Sequence, residues 1–208
     1  MIAVLGGSFD PVHIGHLRVA IEVRDHLQLE QLRLIPCGQP PHRKPFVATA
    51  AQRLRMLELA IADESSLMVD DRELRVERTS YTVDTLTDLR AESGQQPICL
   101  IIGADAFQQL DRWRQWMDLF ALAHLIVVQR PGYHISASAV VAKYTQTRRI
   151  QHYQQLTENS AGNIYFLEIP PLEISSTRIR MLASTGKSIR YLVPDRVYHW
   201  MQEHQLYQ

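Results

Sequence analysis

The feature that most limits the fold of this chain is an alternation. Short, nearly continuous apolar runs take turns with amphipathic stretches from one end to the other. The runs are IAVL (2–5), QLRLIP (31–36), PICLIIG (97–103), HLIVVQR (124–130) and NIYFLEI (163–169), and a shorter apolar piece opens residues 67–78, read as an edge strand. Between them, residues 15–27, 49–63 and 82–91 carry apolar positions at helical spacing, with Thr49 placed to cap the second of these helices. SSTRIRMLAST and PDRVYHWMQEHQLY read as two closing helices, and the polar stretch 134–160 as helix plus loop. Strands separated by helices predict an α/β fold. Apolar runs this continuous need cover on both sides, so the expected form is a doubly wound, Rossmann-like parallel sheet with helices on both faces.

In such sheets ligands bind beyond the carboxyl ends of the strands. The polar motifs fall there. GGSFDP, PPHRK, GADAF, QRPGY and EISSTR each follow an apolar run, so they can converge on one cleft.

Composition narrows the class. With 208 residues, 46% hydrophobic and 21% charged, the chain can bury the core of one domain over 1–208, with a C-terminal helical portion from about residue 175. Its 22 basic and 22 acidic residues balance, which argues against a long nucleic-acid partner but not against a small anion. Cys37 and Cys99 show neither a C-x-x-C pair nor Cys/His metal spacing, so a disulfide framework or structural zinc is not expected. MIAVLGGSFD lacks the basic and apolar regions of a signal peptide, and no apolar run is long enough to span a bilayer. The expectation is a soluble, cytoplasmic protein without a membrane partner.

GGSFDPVHIGHL (6–17) admits several readings. Asp10 can cap a helix with Pro11 just inside it, leaving two surface histidines. His13 and His16 lie three apart and could share a metal, but no third ligand is spaced to join them. The third reading is a phosphate site. Glycines let the backbone approach a ligand, open amides at a helix start attract anions, and a His donor can follow charge onto a leaving phosphate. ISSTRIR (174–180) combines capping residues Ser175, Ser176 and Thr177 with two cations, Arg178 and Arg180.

Tyr81 and Thr82 open a helix and read either as a cap or as an anion site. Trp113 and Trp116, taken alone, suit a core. Asp105 can cap a helix or stand as an open carboxylate at a strand's end. His42, Arg43 and Lys44 form either a solvated loop or a phosphate clamp. STGKS (184–188) follows a helix and lacks the upstream Gly of a phosphate-binding P-loop, and GGSFDPVHIG does not fit the redox fingerprint G-x-G-x-x-G.

Gly6-Gly7-Ser8-Phe9-Asp10-Pro11 with His13-Ile14-Gly15-His16 resembles the first signature of the HxGH nucleotidyltransferase superfamily, and ISSTRIR resembles the second, in the expected order. PPHRK (40–44), SYTVDTL (80–86), GADAF (103–107), Trp113 with Trp116, and RPGY (130–133) are similar to the bacterial nicotinate mononucleotide adenylyltransferase family, over nearly the whole chain. The resemblance implies the HxGH nucleotidyltransferase type of sheet. It also implies adenylyl transfer from ATP to nicotinate mononucleotide, giving nicotinate adenine dinucleotide (deamido-NAD) and pyrophosphate, a step of NAD biosynthesis. Attack would be direct and in line, without a covalent intermediate.

The same resemblance assigns roles. His16, His13 and Arg178 would be catalytic. ATP would meet Gly6, Gly7, Ser8, Phe9, His13, His16, Gly103 and Asp105, with Ile174, Ser175, Ser176, Thr177 and Arg178 at its β- and γ-phosphates. The mononucleotide would meet His42, Lys44, Tyr81, Thr82, Asp105, Trp113 and Arg130, with Trp113 stacked on the pyridine ring. Mg²⁺ would come bound to ATP, with no metal ligands from the protein. A homo-oligomer stays open. The rival readings are a transferase with another acceptor, such as phosphopantetheine, a nucleotide sensor on the same fold, and a redox dinucleotide-binding domain.

Overall fold

A computed structural model of the protein describes residues 1–38, 45–76, 79–132, 137–170 and 172–208. The apolar runs become β1 (Ile2–Gly7), β2 (Leu32–Pro36), β3 (Leu67–Val69), β4 (Ile98–Gly103), β5 (His124–Gln129) and β6 (Ile164–Glu168). Every pairing is parallel, and the order across the sheet is β3-β2-β1-β4-β5-β6. The helices are α1 (Ile14–His26), α2 (Ala50–Ile61), α3 (Thr82–Ser93), α4 (Ala104–Gln108), α5 (Leu119–Leu122), α6 (Ala139–Thr145), α7 (Ser176–Ser184) and α8 (Asp195–Glu203).

Alternate residues of the central strands feed two cores, as the pleat requires. Ala3, Leu32, Leu34, Cys99, Ile101 and Ile126 pack with buried residues of α1, α2, α7 and α8. Val4, Ile35, Leu100, Ile102, Leu125 and Val127 pack on the other side with residues of α3, α5 and α6. Both faces are therefore covered, which is why the strands read as apolar runs. The chain reaches one edge at β3 and re-enters beside β1 as β4. The strand order thus reverses between β1 and β4, and a crevice opens there at the strand ends.

Several expectations need correction. The edge strand is only Leu67–Val69, because the Asp70 carboxylate turns the chain by accepting the Arg72 backbone N–H and guanidinium, and Arg72–Leu74 form a 3-10 turn. Residues 77 and 78 lie outside the described residues. Asp10 does not cap α1. Its carboxylate accepts from Val47 N–H (2.9 Å), Ala48 N–H (3.1 Å) and the Tyr207 hydroxyl (2.6 Å), and the helix starts later, with His13 as its cap. Asp105 does not cap α4 either; Gly103 holds that position.

The last helix stops at Glu203, short of residue 207, because Gln205 and Tyr207 adopt left-handed backbone (φ 49° and 65°). Thr49 does cap α2, accepting from Gln52 N–H, and Ser175 caps α7, accepting from Arg178 N–H. In STGKS, Gly186 (φ 68°) closes α7 and the Lys187 amide folds back to Leu182 O, so the segment is a helix C-terminus. Carbonyls, not amides, face outward there, which suits no phosphate.

Candidate active site

The loop from β1 to α1 begins at the crevice and is built by close approach. A Cβ on Gly7 would lie 3.0 Å from the Phe9 ring, and one on Gly15 would lie 3.0 Å from His13 Nδ1. Phe9 is fully buried with left-handed backbone (φ 47°), and its ring meets His16 edge-on at 5.0 Å. Phe9 thus reaches a ligand only through its backbone or through His16.

His13 and His16 form a reciprocal cap. His13 Nδ1 accepts the His16 N–H and His16 Nδ1 accepts the His13 N–H, each at 3.3 Å, with ring centroids 3.6 Å apart. Both Nδ1 atoms are acceptors, so in each neutral imidazole the proton sits on Nε2. Burial pushes His13 down to about 4. Burial, and then the neighbouring His13, push His16 down to about 3. Both rings are neutral at pH 7 and act as donors rather than cations. The row of open amides expected at α1 is partly closed: Ile14 N–H reaches Leu192 O (3.0 Å) and His16 N–H reaches His13.

Two cavities flank this loop. The larger, about 630 Å³, is lined by Gly6, Gly7, Ser8, Tyr81, Thr82 and Trp113, with Arg112, Arg114, Phe46 and Glu73. Tyr81 is the cap residue of α3 and no side chain among the described residues caps that helix, so its positive end lies in the cavity wall. The smaller, about 400 Å³, is lined by Gly15, Arg18, Asp105, Arg130 and Ile169. Gly103 lines both. Asp105 and Arg130 therefore lie together, across Gly103 from Tyr81, Thr82 and Trp113. Trp116 is core, packed edge-on against Phe120 and Tyr144.

ISSTRIR docks on the first motif. Ser176 Oγ donates to Pro11 O (2.9 Å), and Ile174 faces the space beside Gly15. Ser175, Thr177 and Arg178 are exposed, and the Arg178 guanidinium has no hydrogen-bond or ion-pair partner among the described residues. Arg180 is committed elsewhere, donating to Asp10 O at 2.6 Å. His42 and Lys44, like Arg43, lie outside the described residues, as does the loop 40–45 except Pro45.

Residues 4–182 match the sequence model of the cytidylyltransferase-like family. The chain is 48% identical over 208 residues to a probable nicotinate-nucleotide adenylyltransferase of Methylococcus capsulatus, covering 100% of this chain and 99% of that one. It is 43% identical to a protein of the same description from Pseudomonas fluorescens, covering 99% of this chain and 96% of that one. The chain is a member of the nicotinate-nucleotide adenylyltransferase family. It is therefore an enzyme, a nucleotidyltransferase. The fold is also that of the Plasmodium falciparum nicotinic acid mononucleotide adenylyltransferase solved with NaAD: TM-score 0.76, 17% identity, 99% of this chain and 96% of that one.

Within this adenylyltransferase fold, several residues of the site carry no signature in the sequence. Arg53 of α2 is 2% exposed and donates to Ser8 O at 2.9 Å, behind the glycine loop. The Arg114 guanidinium lies over the Tyr81 ring at 4.5 Å. Glu73 accepts from Gly38 N–H (3.2 Å) and Thr85 Oγ (2.7 Å), and burial raises its carboxyl above the usual range. Each sits in an ordinary charged helix or turn, and only the fold brings it to the crevice. No group of three or more His, Cys, Asp or Glu among the described residues could hold a metal, and none of the described helices is long and apolar enough to cross a membrane.

Proposed function

We propose that the protein transfers the adenylyl group of ATP to nicotinate mononucleotide, giving nicotinate adenine dinucleotide and pyrophosphate. The observation that carries this reading is the pair of cavities meeting at Gly103 on either side of the glycine–histidine loop. Two nucleotides can lie in them with their phosphates meeting over Gly6, Gly7 and Gly15 of that loop, next to His13 and His16, which themselves line neither cavity. Family membership and the names of the relatives support the choice of substrates.

The smaller cavity suits the adenosine half. The Asp105 carboxylate can accept from ribose hydroxyls, and Ile169 offers an apolar wall for the base. The larger cavity suits the pyridine mononucleotide. Trp113 offers a stacking face, and the uncapped start of α3 offers amides to the ring carboxylate. An uncharged carboxamide would lose that charge–dipole attraction, so the nicotinate form is favoured. Arg112 and Arg114 add positive charge to the same cavity.

The mononucleotide phosphate is already an anion at neutral pH and needs no activating base. One of its oxygens attacks the α-phosphorus of ATP, the new O–P bond forms as the α–β bridging bond breaks, and pyrophosphate leaves with the electron pair. Catalysis is positioning plus charge stabilisation. The Nε2–H donors of His16 and His13 meet the charge growing on the α-phosphate and its bridging oxygen. Arg178, exposed and uncommitted, takes the outer phosphates. ATP is taken as its Mg²⁺ complex, the ion held by phosphates and water.

The test is pyrophosphate release from Mg-ATP with nicotinate mononucleotide, nicotinamide mononucleotide or phosphopantetheine. Release mainly with the nicotinate form is expected. Release only with another acceptor overturns the assignment of Tyr81, Thr82 and Trp113, and ATP binding without any release makes the protein a sensor.

A further inference from the structure

We propose that Tyr207, the penultimate residue, is a positioning residue for His16, acting through Asp10 and Phe9. This rests on the reading of His16 given above. The Tyr207 ring is buried, and its hydroxyl donates to Asp10 Oδ1 at 2.6 Å. Asp10 is 3% exposed and joins three parts of the chain. Its carboxylate holds the Val47 and Ala48 amides ahead of α2, its backbone carbonyl takes Arg180 of α7, and its Oδ1 takes the tail.

The next residue back is Phe9. Its left-handed backbone is a conformation that a bulky side chain keeps only where surrounding contacts enforce it. Asp10 supplies that enforcement from one side, and Arg53, bonded to Ser8 O, from the other. Phe9 in turn sets the His16 ring by edge-on contact at 5.0 Å. The tail itself adopts left-handed backbone at Gln205 and Tyr207 to deliver the ring to Asp10. The path from hydroxyl to imidazole is therefore short and packed throughout: Tyr207 to Asp10, Asp10 to its neighbour Phe9, Phe9 to His16. Tyr207 is buried with its hydroxyl committed to Asp10, so it positions other groups and is no catalytic residue.

The test uses the whole protein with three variants. Tyr207→Phe keeps the buried ring and removes only the hydroxyl. Asp10→Asn weakens the same bond from its other end. Val141→Ala, in the separate core on the other face of the sheet, lowers stability outside the path. Two readouts are taken well below each melting temperature: pyrophosphate release, and the ¹⁵N signals of the histidine side chains, with His124 as the distant reference.

Tyr207→Phe is expected to lower kcat about tenfold with little change in the KM for ATP, the effect of a lost hydrogen bond to a charged group. It is also expected to shift the His16 ring signals and leave those of His124 in place. Asp10→Asn should do the same and Val141→Ala neither. His16 signals unmoved in Tyr207→Phe, or an equal fall in kcat in Val141→Ala, would overturn the proposal. Should the wild-type protein release no pyrophosphate with any acceptor, the functional reading fails, and the His16 signals alone decide the role of Tyr207.

Discussion

His13 and His16 hold each other in place: each ring accepts the other's backbone amide at 3.3 Å, and the rings lie 3.6 Å apart. One pair of contacts therefore starts a helix, fixes two tautomers and presents two Nε2 donors. His16→Ala removes half of the cap and, on the proposed mechanism, a donor at the reacting phosphate. Turnover should fall about 10²–10³-fold, the usual cost of losing one preorganised donor. Mononucleotide binding, measured by calorimetry, should change little. Equal losses in both would make His16 a binding or folding residue.

The same histidines give the protein an acid limit. Both are held well below the free value of 6.5, to about 4 and about 3, chiefly by burial. His124 is also lowered by burial; its Nε2 meets Asn159 O and its Nδ1 accepts the Asn163 amide, so a second ring proton would face a donor. Below pH 6.5 the unfolded chain binds protons that the folded one refuses. The histidine contribution is thus present in full above pH 6.5 and is lost as the pH falls toward about 3. Melting temperatures taken over that interval should fall steadily, while kcat stays level between pH 6.5 and 8. A kcat that drops as the pH rises through 6.5 would show that a cationic imidazole is needed.

The fold was legible because each strand is buried on both faces, leaving apolar runs such as PICLIIG that periodicity finds at once. The site was legible in part. His13, His16 and Ser175 announce themselves by spacing, and Gly7 by the close approach that it allows. The role of Asp10 was not legible, since a carboxylate before a Pro can equally be a cap; what occupies it is the Val47 and Ala48 amides and the Tyr207 hydroxyl, contacts that no local pattern encodes. Arg53 and Glu73 were hidden for the same reason. Their burial is a property of packing between elements, not of their own helix or turn.

The two tryptophans should separate cleanly. Trp113 lines the larger cavity, whereas Trp116 is 8% exposed and packs on Phe120 and Tyr144. Trp113→Ala should raise the KM for the mononucleotide about tenfold, consistent with loss of a stacking face plus its burial, and, since Trp113 is only half-buried against the core, lower the melting temperature less than Trp116→Ala does. Trp116→Ala should cost about 3–5 kcal/mol of stability by opening a core cavity. Steady-state kinetics and thermal melts on both variants check this. A stable Trp116→Ala with a raised mononucleotide KM would reverse the two roles.

Arg178 and Arg180 are two residues apart on α7, which points them to nearly opposite sides of the helix, and they have opposite commitments. Arg178 is exposed and without a side-chain partner among the described residues, while Arg180 donates to Asp10 O and lies 3.9 Å from its carboxylate. Arg178→Ala should therefore leave stability within about 0.5 kcal/mol of wild type, as for other exposed positions. It should lower kcat/KM for ATP about 10²-fold, because a cation on the outer phosphates counts most as pyrophosphate departs. Arg180→Ala should cost about 1–3 kcal/mol by leaving the Asp10 carbonyl unpaired. Its kinetic defect should be the milder of the two at low temperature. Melting curves with ATP kinetics separate the cases, and a destabilised Arg178→Ala would turn that residue into a structural one.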